Sequence, residues 1–311
     1  MCSTKPTPSI DYSKRSGYFR TRIVWPNVFF FIFLHCAALY TVFGCAHLWS
    51  WKIFCVWYLT ACLSAYSVSI GAHRLWSHRC FKARLPLRIV LMLLNCMAGQ
   101  NDLFVWCRDH RLHHKYTDTD ADPHSTTRGM FFAHMGWLML KKHDAVIEKG
   151  KSLDCSDLLG DPVIRFQRRF YIPLYFLGVV IVPSWIIYRC FDVPLLFAVG
   201  TSLTRYTFQL HNTWCINSLA HWFGDRPYDK NIKACDNPVI KWHLIGECFH
   251  NYHHVFPFDY KSSEFPFTIF DTSSSLIRLL SYVGLTYDLK EASQEAVARR
   301  KEKIGQDGGL Y

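Results

Sequence analysis

The chain has 311 residues, with 35 Lys and Arg against 24 Asp and Glu for a formal charge of +11; only 19% of residues are charged while half are apolar and 16% aromatic. That balance excludes a disordered chain and a collagen. The 13 cysteines, none spaced C-x-x-C, are too sparse for a disulfide scaffold and are read as reduced or lipid-buried.

In chain order, the N-terminal segment carries Lys5, Lys14, Arg15, Arg20 and Arg22 against a single acid, Asp11. The positive-inside rule places it in the cytosol. Residues 28–50 (VFFFIFLHCAALYTVFGCAHLWS) and 53–72 (IFCVWYLTACLSAYSVSIGA) follow, free of Asp, Glu, Lys and Arg, and each meets the ~20-residue length of a bilayer core. They are predicted as an outgoing and a returning transmembrane helix, turning near Trp51. No cleavage pattern of a signal peptide and no N-x-S/T sequon occurs, so the first is expected to stay as an anchor. Residues 73–169 then lie in the cytosol. Within them, 85–98 is apolar but too short to span and is expected as a core or interfacial helix; 131–140 is ambiguous in the same way.

A third span is predicted over residues 170–188, uncharged and containing Pro173 and Pro183, which membrane helices tolerate. Residues 193–219 make a fourth despite Arg205, because an even number of crossings returns the basic segments to one side. The cytosolic part thus comprises 73–169 and 220–290, followed by a tail, 291–311, with a charged surface helix and a frayed end. Membrane orientation accounts for the basic charge, and no nucleic-acid partner is inferred.

Histidine is the strongest feature, with sixteen in the chain. His73 and His78 bracket H-R-L-W-S-H; His110, His113 and His114 form H-R-L-H-H; His250, His253 and His254 form H-N-Y-H-H; His221 follows the fourth span in N-S-L-A-H. Helix positions i, i+3 and i+4 share a face, so each H-x-x-H-H is expected to offer up to three imidazoles to one point and bind metal. Without metal, so many imidazoles together would suffer desolvation and mutual repulsion on protonation. Nine ligands exceed what one ion accepts. Two first-row ions are expected, each holding four or five nitrogens with a position left open.

Imidazole suits zinc, copper, iron and nickel alike. H-E-x-x-H and the paired Glu-x-x-His motifs of a soluble di-iron bundle are absent. Asp118, Asp120 and Asp122 resemble the start of a calcium loop, but Pro123 stands at the required glycine and Gly129 at the required glutamate, which excludes calcium. The solitary His35, His47, His124, His134, His143, His211 and His243 are read as solvated or satisfied side chains. Because imidazole binds metal only when neutral, metal is expected to be lost as pH falls through the histidine range.

The succession G-A-H-R-L-W-S-H, Q-N-D-x-x-x-W-x-R-D-H-R-x-H-H, T-D-A-D-P-H, N-S-x-A-H-x-x-G-x-x-P-Y-D and H-N-Y-H-H-x-F-P-x-D-Y, running over about residues 21–288, resembles the membrane acyl-CoA delta-9 desaturases, the stearoyl-CoA desaturase family. The resemblance implies an all-α integral membrane protein of the endoplasmic reticulum: four transmembrane helices under a cytosolic helical cap that holds two irons, both termini cytosolic, residues 1–311 forming one desaturase domain. The family's nine ligands fall on His73, His78, His110, His113, His114, His221, His250, His253 and His254, and its asparagine holding a metal-bound water falls on Asn217. Gln100, Trp106, Thr213 and Trp214 match residues that bend and enclose the acyl chain. Asn101, Arg108 and Asp109 match contacts to the coenzyme A end, whose phosphates Lys141 and Lys142 would meet. Two departures adjoin ligands: Cys248 replaces the second glycine of a usual Gly-Glu-Gly, and Cys107 replaces a usual alanine.

The implied reaction inserts a cis double bond into a saturated fatty acyl-CoA with O2 and two electrons. The chain has no G-x-G-x-x-G and no haem-binding H-P-G-G, so the electrons are expected from a separate cytochrome b5 and its NADH-dependent reductase, drawn to the basic cap. The carbon attacked would be set by its distance from the anchored head. Ala61 and Ala65, small residues of the second span, are read as letting the acyl tunnel end deeper. A membrane fatty-acyl hydroxylase and a catalytically silent member are the alternatives; a metal carrier would hold its ligands within the bilayer.

Overall fold

The computed structural model describes residues 21–240, 246–265 and 268–307, with side chains as far as 304. Lys5, Asp11, Lys14, Arg15, Arg20 and His243, and the tail beyond 307, lie outside the described residues.

Helix α1, Trp25–Leu39, starts on Pro26 and is prolonged by a wider turn, Tyr40–Gly44. After a short turn α2, Trp51–Tyr66, begins where Ser50 Oγ accepts the Ile53 N–H at 3.3 Å, and it continues without a break as a widened helix, Ser67–Ser77. Both rods are long and apolar enough to cross a membrane. The second is longer than the expected 53–72. Every residue from Ser67 to Ser77 is buried, so hydropathy falls where the helix enters protein although the helix itself goes on.

Strand β1, Lys82–Ala83, pairs antiparallel with β2, Thr286–Tyr287, a small addition to an otherwise helical fold. Helix α3, Leu85–Ala98, begins on Pro86 and ends at Gly99 with φ 63°, where a Cβ would meet Tyr206, Val179 and Tyr175 side chains at 2.8–2.9 Å. Asp102 caps α4, Leu103–Lys115, by accepting from the Val105 N–H at 3.1 Å. The axes of α3 and α4 differ by 83°. Leu85, Ile89, Val90 and Leu93 stay exposed on α3, the apolar face expected of an interfacial helix.

The ambiguous segment 131–140 is no span. It folds as α5, Met130–His134, and a single turn, Gly136–Leu138. Three short helices follow: α6 Asp144–Lys151, α7 Ser156–Gly160 and α8 Pro162–Arg169, the last capped by Asp161. Then α9, Tyr171–Phe176, and α10, Val182–Cys190, join through Leu177–Ile181 into a third membrane-long apolar rod.

Helix α11, Leu195–Ser218, has 24 residues, about 36 Å at 1.5 Å each, but is not apolar enough to qualify with the other three. Its buried face carries Thr201, Ser202, Thr204, Arg205, Thr207 and Gln209. It packs against α1, α2 and α10, so the polar face is turned inward and the apolarity a lipid-facing helix requires is supplied by its neighbours. Among the described residues, three helices are therefore long and apolar enough to cross a membrane, or four if the bent pair α3 and α4 counts as one span, where four are expected from parity.

Beyond α11 come α12, His250–Val255, α13, Thr272–Tyr282, and α14, Gln294–Asp307. The tail helix is not free on the surface. Val297 is buried against Tyr228, Tyr252 and Phe256, and Lys301 pairs with Glu264 at 2.6 Å. The largest core, including Ile70, Trp76, Leu91, Leu103, Ile164 and Ile277, lies where the widened end of α2 meets α3, α4, α8 and α13.

Candidate dimetal centre

Four pieces of backbone deliver the nine imidazoles. In an ordinary α-helix, positions five apart point about 140° away from each other. The widened helix Ser67–Ser77 is closed by bonds one residue longer, ending with the His78 N–H donating to His73 O at 3.1 Å. This brings the His73 and His78 rings to 4.9 Å between centroids. Helix α4 supplies His110, His113 and His114, the turn after α11 supplies His221, and α12 supplies His250, His253 and His254.

The rings converge in two groups. Ligand atoms of His73, His78, His110, His114 and His253 lie within 4.8 Å of one another, and those of His113, His221, His250 and His254 form a second such set. This corrects the expectation that each H-x-x-H-H aims at one point. On both α4 and α12 the i, i+4 pair goes to one group and the i+3 residue to the other, because i+3 and i+4 are about 100° apart and each helix runs between the two groups.

The nitrogens fit metal. Closest Nε2–Nε2 approaches are 2.9 Å for His73–His253, 2.8 Å for His78–His110 and 3.0 Å for His253–His114; in the second group they are 2.9 Å for His221–His250 and 3.1 Å for His254–His250. Nδ1 of His73 faces Glu247 at 3.1 Å, Nδ1 of His113 faces Asp122 at 3.0 Å, and Nδ1 of His221 faces Asp118 at 3.3 Å. A carboxylate there keeps the proton on Nδ1 and leaves Nε2 a bare lone pair. His250 and His253 each crowd two other Nε2 atoms, which one N–H cannot serve. A cation held among these lone pairs would resolve the crowding.

The electrostatics agree. Burial, reinforced by neighbouring imidazoles, holds His110, His114, His250, His253 and His254 well below the ordinary histidine value, favouring the neutral ligand form. Burial alone would raise Asp122, but His113 and His124 outweigh it and bring the carboxyl down to about 2. Burial likewise opposes ionisation of Glu247, and His73 with Arg74 overcomes it, holding the carboxyl below its usual range.

Two cavities border the groups. The larger, of about 320 Å³, is lined by Gln100, Asn101, Trp106, Asp109, Thr213 and Trp214 among others; the smaller, of about 60 Å³, reaches Ala65 and Val68 and touches His73 and His250. They share Trp106, His110, Thr213 and Asn217, so Asn217 stands beside both histidine groups. Gln100 forms a clasp at the junction, donating to Thr213 Oγ1 at 2.7 Å and accepting from Trp106 Nε1 at 3.2 Å. Arg108 pairs with Asp109 at 2.8 Å, and Lys142 with the other oxygen of Asp109. Lys141 is exposed, and its side chain does not line the cavity. Ala61 is buried beneath Ala65 without lining either cavity.

Several residues escaped sequence reasoning. Asp118 and Asp122 were weighed only as calcium ligands, yet they orient His221 and His113. Glu247 stands three residues before His250 but turns to His73 instead, and Arg74, wholly buried, bridges Glu247 and Asp271 at 3.3 and 3.2 Å. His124, read as solitary, packs on His113 with ring centroids 4.4 Å apart. His35, His211 and His134, also read as solitary, form a chain with nitrogen separations of 2.9 Å. Their tautomers are mutually consistent when all three are neutral. Carboxylates lying between histidine boxes were the available signal, since a ligating imidazole needs a partner for its second nitrogen. Cys107 and Cys248 are buried and stand outside both groups; burial pushes the Cys107 thiol up to about 12, so it stays protonated.

The chain is similar to stearoyl-CoA desaturase 5 of Bos taurus, 47% identical over 291 residues, covering 92% of this chain and 85% of that protein. It is similar to an acyl-CoA desaturase of Cyprinus carpio at 47% over 296 residues, covering 94% and 89%, and to delta(9)-fatty-acid desaturase fat-6 of Caenorhabditis elegans at 46% over 298 residues, covering 96% and 87%. A family profile described as fatty acid desaturase matches residues 49–268. All nine converging histidines, their carboxylate partners and the clasp across the cavity lie inside that match, and the chain belongs to the fatty acid desaturase family.

Proposed function

We propose that the chain is an acyl-CoA delta-9 desaturase that converts –CH2–CH2– to a cis –CH=CH– with O2, two electrons and two protons, releasing two waters. The observation that carries this reading is the pair of adjoining, mostly apolar cavities that border both histidine groups, the larger one carrying in its wall Asp109, which pairs with Arg108 and Lys142. The names of the three relatives support acyl-CoA as substrate and carbon 9 as the position.

The five imidazoles of one group and the four of the other would hold two irons, with Asn217 holding a water to one of them. Bound iron supplies the oxidising power that an unactivated methylene demands. The protein residues do the selecting. Arg108, Asp109, Asn101 and Lys142 would receive the coenzyme A end, with Lys141 beyond them toward its phosphates. Trp106, Gln100 and Thr213 bend the chain at the clasp, Trp214 closes its wall, and the distance from mouth to histidines fixes which carbon stops beside them. The apolar wall keeps water from the reacting carbons.

We read residues 1–311 as one domain, with α11 as a fourth span, residues 73–169 and 220–290 as a cytosolic cap, and both termini cytosolic in the endoplasmic reticulum membrane. Cytochrome b5, reduced by its NADH-dependent partner, is the proposed donor. Expression in a yeast lacking its own desaturase, followed by mass spectrometry of its acyl chains, tests the reading. Products two hydrogens lighter with the bond at carbon 9 uphold it. Products that gain oxygen would make the chain a hydroxylase, and iron-loaded protein yielding neither would make it silent.

A further inference from the structure

Arg205 lies midway along α11 and is 1% exposed. Its Nη1 donates to Ser64 Oγ at 3.4 Å and Met97 O at 3.0 Å, and its Nη2 to Val179 O at 3.3 Å. All three acceptors are neutral, and its Nε–H has no acceptor. A guanidinium is not deprotonated in proteins, and a buried charge is costly unless an opposite charge meets it. Among the described residues, no carboxylate pairs with Arg205.

A cavity of about 10 Å³ borders this side chain, and Trp57, Thr60, Thr201 and Ser202 line it too. The Trp57 indole N–H is buried and also lacks an acceptor. Two residues with unanswered N–H groups, one of them cationic, therefore meet at one small cavity. Its size admits one water or one monatomic ion. Thr60 and Thr201 hydroxyls now donate to carbonyls of their own helices, at 2.9 Å to Val56 O and 2.7 Å to Ala198 O, and rotation about χ1 frees them as further donors. The remaining wall, Pro183, Ile186 and Ile187, is apolar and leaves no room for an oxyanion.

We propose that this cavity is a halide site, filled by chloride, which accepts from Trp57 and Arg205 and neutralises the guanidinium between α2, α10 and α11. Water would answer both N–H groups but bring no charge. No step of the desaturation uses the site, so it stands whether or not that reading holds.

The test is thermal unfolding of the full chain in detergent, in sodium chloride against sodium gluconate at equal ionic strength. The unfolding temperature rises saturably with chloride and with bromide, because a ligand of the native state stabilises it. Trp57→Phe, which removes one donor and keeps the charge, raises the half-saturating chloride concentration about tenfold. Crystals grown in bromide show an anomalous peak between Trp57 and Arg205. Equal unfolding temperatures in the two salts, a chloride response that Trp57→Phe leaves unchanged, or density at the cavity without anomalous signal, which is a water, would each overturn the proposal.

Discussion

At the residue scale, the centre is set as much by what holds the imidazoles as by the imidazoles themselves. Glu247 receives the Nδ1 of His73, and it is itself held by Arg74 and Ser69. Replacing Glu247 with Gln keeps the volume but removes the charge that fixes the His73 tautomer. Metal affinity should fall 10–100-fold, roughly the loss seen when such partners are removed, read as iron per chain after a chelator challenge; undiminished iron would show that Glu247 does not orient His73. The pH dependence follows from the same neighbourhood. Protons and metal compete for one lone pair, and burial holds His110, His114, His250, His253 and His254 well below their ordinary value. Asp122 and Glu247, held low, stay ionised throughout that range and do not drive the loss. Iron should therefore persist through pH 6.5, the ordinary histidine value, and leave only below it; half-release at or above that pH would mean the rings are solvated. The nine histidines were legible in the sequence because clustered imidazoles have few other uses. Their division into five and four was not, because it depends on where α4 and α12 lie between the two groups.

At the scale of elements, α2 does two jobs. Its first part is apolar enough to cross a membrane and exposes Phe54, Tyr58 and Leu59, and its widened end brings the two rings of H-x-x-x-x-H together, which the α-helical period does not permit. Sequence reading stopped the span at residue 72, since apolarity ends there while the backbone hydrogen bonds continue. About two turns below His73, Ala65 lines the smaller cavity. Ala65→Phe should fill that end and shift products toward shorter acyl chains while iron content stays unchanged, as read by chain-length analysis of the unsaturated lipids; an unaltered product spectrum would place the end of the acyl chain elsewhere. Helix α11 shows the opposite limit of hydropathy. Its existence and length were legible in 193–219, but its polar, inward face hides what the helix does, because Nη1 and Nη2 of Arg205 reach carbonyls of neighbouring segments and the threonine hydroxyls bond carbonyls of α11 itself.

At the scale of the molecule, the chain carries a formal charge of +11, and the proposed topology gathers its basic groups on one, cytosolic side. On that proposal the basic side would attract an acidic electron carrier over a range that salt shortens. Turnover at low cytochrome b5 concentration should therefore fall as salt rises from about 50 to 300 mM, while turnover at saturating donor changes little; a salt-independent rate at low donor would place docking on apolar contacts instead. The mostly helical fold and three of its membrane-long helices were readable from the order of apolar runs. The 83° turn between α3 and α4 and the return of α14 onto the cap were not, because both depend on packing between segments far apart in sequence.

The central claim is that nine imidazoles hold two irons beside an apolar acyl cavity. Elemental analysis of purified protein from iron-replete cells, taken together with its iron spectroscopy, tests this most directly. Two irons per chain in an all-nitrogen protein ligand field are predicted, and a single ion per chain, or zinc alone, would contradict the account.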